Sequence, residues 1–292
     1  MMRQPLFILC PGRSFSSVVC AAIGQHPQMF GLPEVNLFFT DNVGALMALD
    51  VPFVGLPGAL TGLRRVLAEL MFGEQTVDTV NRADAWLRER RDWTGARMFD
   101  ALREMASPRI LVDKTPTNSQ AKALARVHAA YPDAYYLHLA RHPRSTSRSR
   151  MKAYEKHRRG KTPKAEALWS ARHAELMAFG GSLRPGRYMY LPGEWFFEEP
   201  AEVMAQVCDW LGLSSDAASL AAMLRPEDSP FARPGPENAR LGNNPGFIED
   251  PKLRIGKVKP ENLTDPLDWV RDREAHFSAE TRDLAAILGY SD

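Results

Sequence analysis

At 292 residues, 45% hydrophobic and 25% charged, the chain has the composition of a globular protein able to bury a sizeable core. Its net charge of +2 provides no global field of the kind that draws a protein to nucleic acid or an anionic membrane. Cys10, Cys20 and Cys208 form no CxxC and no metal-ligand spacing. No apolar run approaches the roughly 18 residues of a membrane span or the core of a secretory leader, so a cytoplasmic protein without a membrane span is expected.

Leu6–Cys10 (LFILC) is a continuous apolar run stopped by Pro11-Gly12, the pattern of a strand buried on both faces of a parallel sheet. A small-residue loop leads into an apolar-periodic helix with Val18, Val19, Ala22 and Ile23 on its inner face, ending near His26-Pro27. Residues 36–107 read as a mostly helical insertion. Its apolar patches (Leu37, Phe38, Leu46 and Leu49; Leu67, Leu70, Met71 and Phe72) either pack as core or cover the active edge of the sheet. Arg109–Asp113 (RILVD) reads as a strand, followed by a helix to about Tyr131. Ala134–Ala140 (AYYLHLA) is the next strand, followed by a helix after Pro143. Arg187–Leu191 (RYMYL) then precedes a helix over Glu199–Leu211. Strands alternating with helices predict an α/β fold with a central, mainly parallel sheet and helices on both faces. Residues 225–260 hold seven prolines and read as a long ordered loop or lid. With no internal repeat and no clean linker, residues 1–292 are expected to form one domain.

Two segments carry chemistry. Pro11-Gly12-Arg13-Ser14-Phe15-Ser16-Ser17 joins a strand to a helix, where converging backbone N–H groups and the helix dipole favour an anion. A serine-capped helix with no ligand would have the same appearance. The segment is not a Walker loop. The one Gly-Lys-Thr, Gly160-Lys161-Thr162, has Glu155 at the first-glycine position and follows a basic helix rather than a strand. Between Arg141 and Lys161 lie nine Lys or Arg residues and a single acid, Glu155, which is either a solvated helix face or a phosphate site.

LFILCPGRSFSSVVCAAIGQHPQ resembles the 5′-phosphosulfate loop of sulfotransferases that use 3′-phosphoadenosine 5′-phosphosulfate (PAPS). Arg13, Ser14, Ser16 and Ser17 match that loop in type, while Phe15 stands where the family has glycine. YYLHLARHPRSTSRS is similar to the family's 3′-phosphate signature, with Arg141, Pro143 and Ser149 at its spacing and His142 where the family has Asp. Asp113-Lys114-Thr115-Pro116 resembles the family's acid-Lys-x-Pro segment. RYMYLPGEWFFEEPAEVMAQVCDWLGL matches more weakly, with Leu191 in place of an acid, and FSAETRDLAAILGY resembles the ends of bacterial sulfotransferases. The insertion 36–107 and the loop 225–260 match no family segment.

The resemblance implies a P-loop-like sulfotransferase fold with a helical insertion, and in-line sulfuryl transfer from PAPS to a hydroxyl or amine. The acceptor would be a small molecule or carrier-bound, the product adenosine 3′,5′-bisphosphate, and no metal is called for. Arg13, Ser14, Phe15, Ser16 and Ser17 would hold the phosphosulfate, and Arg141 and Ser149 the 3′-phosphate. Arg13 and Lys114 would stabilise the leaving oxygen, and Glu34 in GLPEVNLF would be the general base. On the residues alone Glu34 is equally a helix N-terminal cap. Asp113 and His142 are the other candidate bases, whereas His138, inside an apolar strand, reads as a core histidine. The rival readings are a P-loop-type kinase or ATPase and a nucleotide-binding protein without catalysis; nucleic-acid binding by the basic segment is more distant.

Overall fold

The N-terminal apolar run forms β1 (Leu6–Leu9), every residue of which is buried. A computed structural model describes residues 3–51, 54–55, 58–156, 165–259, 261–270 and 274–290. After β1 come β2 (Met29–Gly31), a small antiparallel hairpin of β3 (Asp50–Val51) and β4 (Val54–Gly55), then β5 (Ile110–Asp113), β6 (Tyr135–Ala140) and β7 (Tyr188–Pro192). The central sheet runs β2-β5-β1-β6-β7 with every pairing parallel. From β1 the chain first builds one side of the sheet and then crosses to the other. This opens a crevice at the carboxyl ends of β5, β1 and β6, where open α/β sheets receive ligands.

Side chains alternate across a strand, and both faces of β1 are covered. Phe7 and Leu9 face one apolar cluster; Leu6, Ile8 and Cys10 face another. The second cluster is closed by the helix Ser16–Gly24 through Val19, Ala22 and Ile23, and by the helix Pro200–Leu211 through Val203, Met204 and Val207. Leu191 is buried in that cluster, an apolar role at the position where the family carries an acid. The first cluster receives the helical insertion: Leu46, Leu67 and Phe99 pack with Phe7, whose ring stacks on Phe99 at 5.3 Å and meets Phe38 edge-on at 5.9 Å. Leu37, Phe38, Leu46 and Leu67 of the insertion's patches are therefore core with Leu70 and Met71 packed against them, while Leu49 and Phe72 are half-buried outside it. One of the insertion's helices, Thr61–Phe72, also approaches Glu34.

Strand boundaries fall within one residue of the sequence reading for β1, β5, β6 and β7. The edge strand β2 has no counterpart in that reading, because three residues between His26-Pro27 and Leu32-Pro33 show no alternation. The helix Ala165–Ser182 was likewise not anticipated. The 225–260 segment contains the short helix Pro245–Glu249 and two 3₁₀ turns.

His138 lies on β6 as a core histidine. Its Nδ1 is 2.6 Å from the Tyr188 hydroxyl and its Nε2 is 2.7 Å from Nδ1 of His173. Burial lowers both imidazoles, His138 to about 3 and His173 well below its ordinary value. Unfolded, both titrate at about 6.5. The unfolded chain thus binds more protons below that pH, and stability falls as pH drops from about 6.5 towards 3. Melting temperature measured between pH 7.5 and 4.5 should decline, and a His138→Gln/His173→Gln double variant should decline less steeply. Parallel profiles would rule out this source of acid sensitivity.

Candidate functional site

The loop after β1 bends through left-handed backbone at three positions: Gly12 (φ 70), Arg13 (φ 65) and Phe15 (φ 65). Phe15 thus adopts the conformation that a glycine would take there, at a cost of about 1–2 kcal/mol for an L-residue. Contacts of its ring offset that cost. The ring meets Phe197 edge-on at 4.7 Å, and the Arg141 guanidinium lies over it at 4.1 Å. Gly193 makes room, since a Cβ there would come within 2.8 Å of the Phe15 ring and 2.7 Å of the Ala140 carbonyl oxygen. As the N-cap of the helix Ser16–Gly24, Phe15 offers no side-chain oxygen, so the first helical N–H groups have no side-chain cap.

Behind the loop, at the end of β5, Lys114 is fully buried and its ammonium donates three hydrogen bonds. The acceptors are Ser17 Oγ at 3.0 Å, Glu34 Oε1 at 3.0 Å and Asn243 Oδ1 at 2.7 Å. The Glu34 side chain is 36% exposed, so the pair joins the interior to the solvent side. Glu34 lies in irregular chain after β2, and the next helix, Val43–Leu49, is capped by Asn42, so the cap reading of Glu34 is ruled out.

Arg13 and Ser149, 136 residues apart, meet directly: Arg13 Nε donates to Ser149 Oγ at 3.0 Å. Arg141, at the end of β6, donates from Nη1 to the Arg13 carbonyl at 3.1 Å. Arg150 of the helix Pro143–Lys156 holds the Pro11 carbonyl. Burial lowers the titration points of Arg13, Arg141 and Arg150, and the charge on Arg13 adds to the effect at the other two. Arg141 Nε is buried with no hydrogen-bond partner among the described residues. A bound anion would answer both the crowding of like charge and that orphaned donor. Around these groups opens a cleft of about 840 Å³. Arg13 to Ser17, Arg141 and Ser149 all line it; Glu34 and Lys114 do not, and reach it through Ser17.

Two of the candidate bases are occupied by structural bonds. Asp113 is fully buried, with Oδ1 accepting from the Thr115 backbone and Oδ2 from Asn118 Nδ2, both at 2.8 Å. It fixes the turn that aims Lys114. His142 precedes the helix Pro143–Lys156, accepts the Arg144 N–H on Nδ1 at 3.2 Å and packs its ring edge-on against Tyr290. It does not line the cleft.

The sequence reading missed Asn243, on the Pro-rich segment, and the basic residues Lys252, Lys257 and Lys259 of the cleft wall. The only signal for them was an unusually long ordered loop.

The sulfotransferase family model matches residues 5–217. The sulfotransferase domain from the curacin biosynthetic pathway superposes with a TM-score of 0.79 at 23% identity, covering 99% of each chain. The sulfotransferase domain from the Synechococcus PCC 7002 olefin synthase gives 0.72 at 22% identity, covering 99% of this chain and 97% of that one. At such identities the likeness speaks for the fold. Comparison with curated protein sequences returns no match. The family match, spanning the phosphate-type loop, the Asp113–Pro116 turn and the basic end of β6, displaces the kinase and ATPase readings. The chain belongs to the sulfotransferase family and is a transferase.

Proposed function

We propose that the donor is PAPS and that its sulfuryl group passes to a hydroxyl or amine of a small-molecule or carrier-bound acceptor, leaving adenosine 3′,5′-bisphosphate. The observation that carries this reading is the contact between Arg13 and Ser149. It joins the loop matched to the 5′-phosphosulfate with the helix matched to the 3′-phosphate, in one cleft large enough for a nucleotide. The orphaned Nε of Arg141 supports an anion beside it.

In this reading Ser14, Ser16, Ser17 and the open N-terminus of the helix Ser16–Gly24 bind the phosphosulfate, while Arg141 and Ser149 bind the 3′-phosphate. Transfer breaks the bond from sulfur to the bridging oxygen and forms one from sulfur to the acceptor oxygen or nitrogen. Glu34 accepts the acceptor's proton. Negative charge builds on the departing phosphate, and Arg13 stabilises it directly. Lys114 does so through Ser17, whose oxygen accepts from the ammonium and whose own hydrogen is thereby left for the bound anion. Burial of Phe7 and of the apolar residues of the insertion in one cluster supports a single catalytic domain. Three buried free thiols support the cytoplasm as its compartment.

Adenosine 3′,5′-bisphosphate should raise the melting temperature well above any effect of ATP-Mg. At ligand about 100-fold over Kd, linkage provides about 2.7 kcal/mol. Equal shifts with the two nucleotides would contradict the donor assignment.

Arg141→Ala should weaken the bisphosphate about tenfold or more, the worth of a charge-assisted contact, and Ser149→Ala should weaken it less. Adenosine 5′-phosphosulfate, which lacks the 3′-phosphate, should lose less, since Arg141 reaches the phosphosulfate loop only through the Arg13 carbonyl and the Phe15 ring. Equal losses for both ligands in titrations of each variant would exclude the 3′-phosphate assignment.

Glu34→Gln should lower release of bisphosphate from PAPS, with water or an alcohol as acceptor, on the order of 10²–10⁴-fold, while bisphosphate affinity stays near that of the parent. Turnover within threefold of the parent would remove Glu34 from the base role.

A further inference from the structure

The Pro-rich segment 225–260 touches both members of the Glu34–Lys114 pair through two consecutive residues. The carbonyl of Gly242 accepts the Glu34 N–H at 2.8 Å, and Oδ1 of Asn243 accepts from Lys114 Nζ at 2.7 Å. Asn243 is itself held: Oδ1 also accepts the Asn244 N–H at 3.0 Å, and Nδ2 donates to the Phe231 carbonyl at 3.4 Å. These bonds assign its amide oxygen, not its nitrogen, to the ammonium.

The dipeptide is seated from both sides. Gly242 has φ +87, and a Cβ there would come within 2.7 Å of the Gly62 nitrogen; a Cβ on Gly62 would come within 2.1 Å of the Glu34 carbonyl oxygen. The buried Arg65 holds the preceding carbonyl, that of Leu241, at 2.7 Å, along with the Arg233 carbonyl at 2.8 Å. Three distant stretches of chain thus pack closely around the backbone of Glu34.

The chemistry of Asn243 is selective. Lys114 has three N–H donors, and Ser17 and Glu34 use two of them. A third acceptor is required because the ammonium is fully buried. A neutral amide oxygen meets that need without adding a second carboxylate to compete with Glu34 for the cation. We propose that Asn243, carried on Gly242, is a positioning residue for sulfuryl transfer: it sets the Lys114 ammonium, and through it the Glu34 carboxylate, without touching the donor or the acceptor. This rests on the proposed role of Glu34 as base and extends the functional machinery into the segment that matched no family motif.

The test compares the parent with Asn243→Ala and Asn243→Asp, using PAPS with water or a simple alcohol as acceptor and adenosine 3′,5′-bisphosphate as the binding probe. Asn243→Ala should lower kcat by on the order of 10- to 100-fold, the scale of a small misplacement at a reacting group. KM for PAPS and the melting shift with bisphosphate should stay near those of the parent. Asn243→Asp retains the oxygen but adds a like charge beside Glu34. That charge raises the pH at which a carboxylate base ionises, so the acid limb of the turnover profile should move to higher pH. Unchanged kcat in Asn243→Ala, or an unmoved acid limb in Asn243→Asp, overturns the proposal. So does a loss of bisphosphate binding and melting temperature in step with turnover, which marks a merely structural residue. A parent that neither binds the bisphosphate nor releases it from PAPS defeats the donor reading itself, and with it the reaction Asn243 would serve. Normal parent turnover with an active Glu34→Gln removes the base and hence this role, leaving the donor reading intact.

Discussion

Everything at the crevice is organised by the requirement to bury one ammonium. Lys114 has no solvent exposure, and a buried charge without partners costs several kcal/mol even after relaxation. Its three acceptors come from three separate parts of the chain: Ser17 on the first helix, Glu34 after β2 and Asn243 in the Pro-rich segment. Satisfying Lys114 therefore fixes the relative positions of the phosphate-type loop, a solvent-reaching carboxylate and a long irregular segment that has little regular structure of its own. The turn that presents Lys114 is built to match: Asp113 caps it from below, and the Thr115 hydroxyl receives the Val35 N–H at 3.1 Å, tying the turn to the residue after Glu34.

The loop in front of Lys114 accepts strain and compensates for it with side-chain contacts. A left-handed Phe15 costs about 1–2 kcal/mol. An edge-to-face aromatic pair contributes about 0.5–1.5 kcal/mol and a cation–π contact about 0.5–2 kcal/mol, so Phe197 and Arg141 together are of the right size to offset it. The ring also links the two nucleotide motifs, since Arg141 lies over it while bonding the carbonyl of Arg13. A glycine at position 15 would be free of the strain but would supply neither contact. Room for the ring is left on the receiving side, at Gly193.

The parts of this arrangement that could be read from sequence are those with local signatures. Continuous apolar runs revealed four of the five central strands: β1, β5 and β6 because a strand buried on both faces needs no alternation, and the half-buried edge strand β7 because its run of aromatic and aliphatic residues is unbroken. The loop residues Arg13–Ser17 and the Arg141–Ser149 spacing were legible because each motif lies within one strand–turn–helix unit. Lys114 was legible as part of a turn, but its burial and its set of acceptors were not, since those depend on contacts 80, 97 and 129 residues apart. Asp113 and His142 looked like candidate bases because both are titratable residues at strand ends. Only the bonds they make identify them as a turn cap and a helix-start acceptor. Asn243 lay beyond reach for a further reason: a neutral amide in a Pro- and Gly-rich stretch has no periodicity, charge or spacing to single it out.

The same distinction between local and long-range information explains why the charge balance was so uninformative. A net charge of +2 hides a segment with nine basic residues to one acid, and even that segment divides its labour. Arg144 is buried and donates to the carbonyls of Asn262, Asp265 and Pro266, pinning the chain that follows the Pro-rich segment. Arg148 is neutralised by Glu261 at 2.7 Å and Asp268 at 3.0 Å. Arg150 braces the Pro11 carbonyl, and Arg141 is left with an unanswered donor in the cleft. The solvated-face and phosphate-site readings of this stretch were both incomplete, because among its described cations Arg144, Arg148 and Arg150 act as struts. Fields from exposed charges fade over about 8 Å at physiological salt, so an anion entering the cleft senses the few cations around it and hardly any of the overall sum. On the proposed donor reading, what an anion would meet in the cleft is the Nε of Arg141, unpartnered among the described residues, and packing rather than composition leaves that nitrogen without a partner.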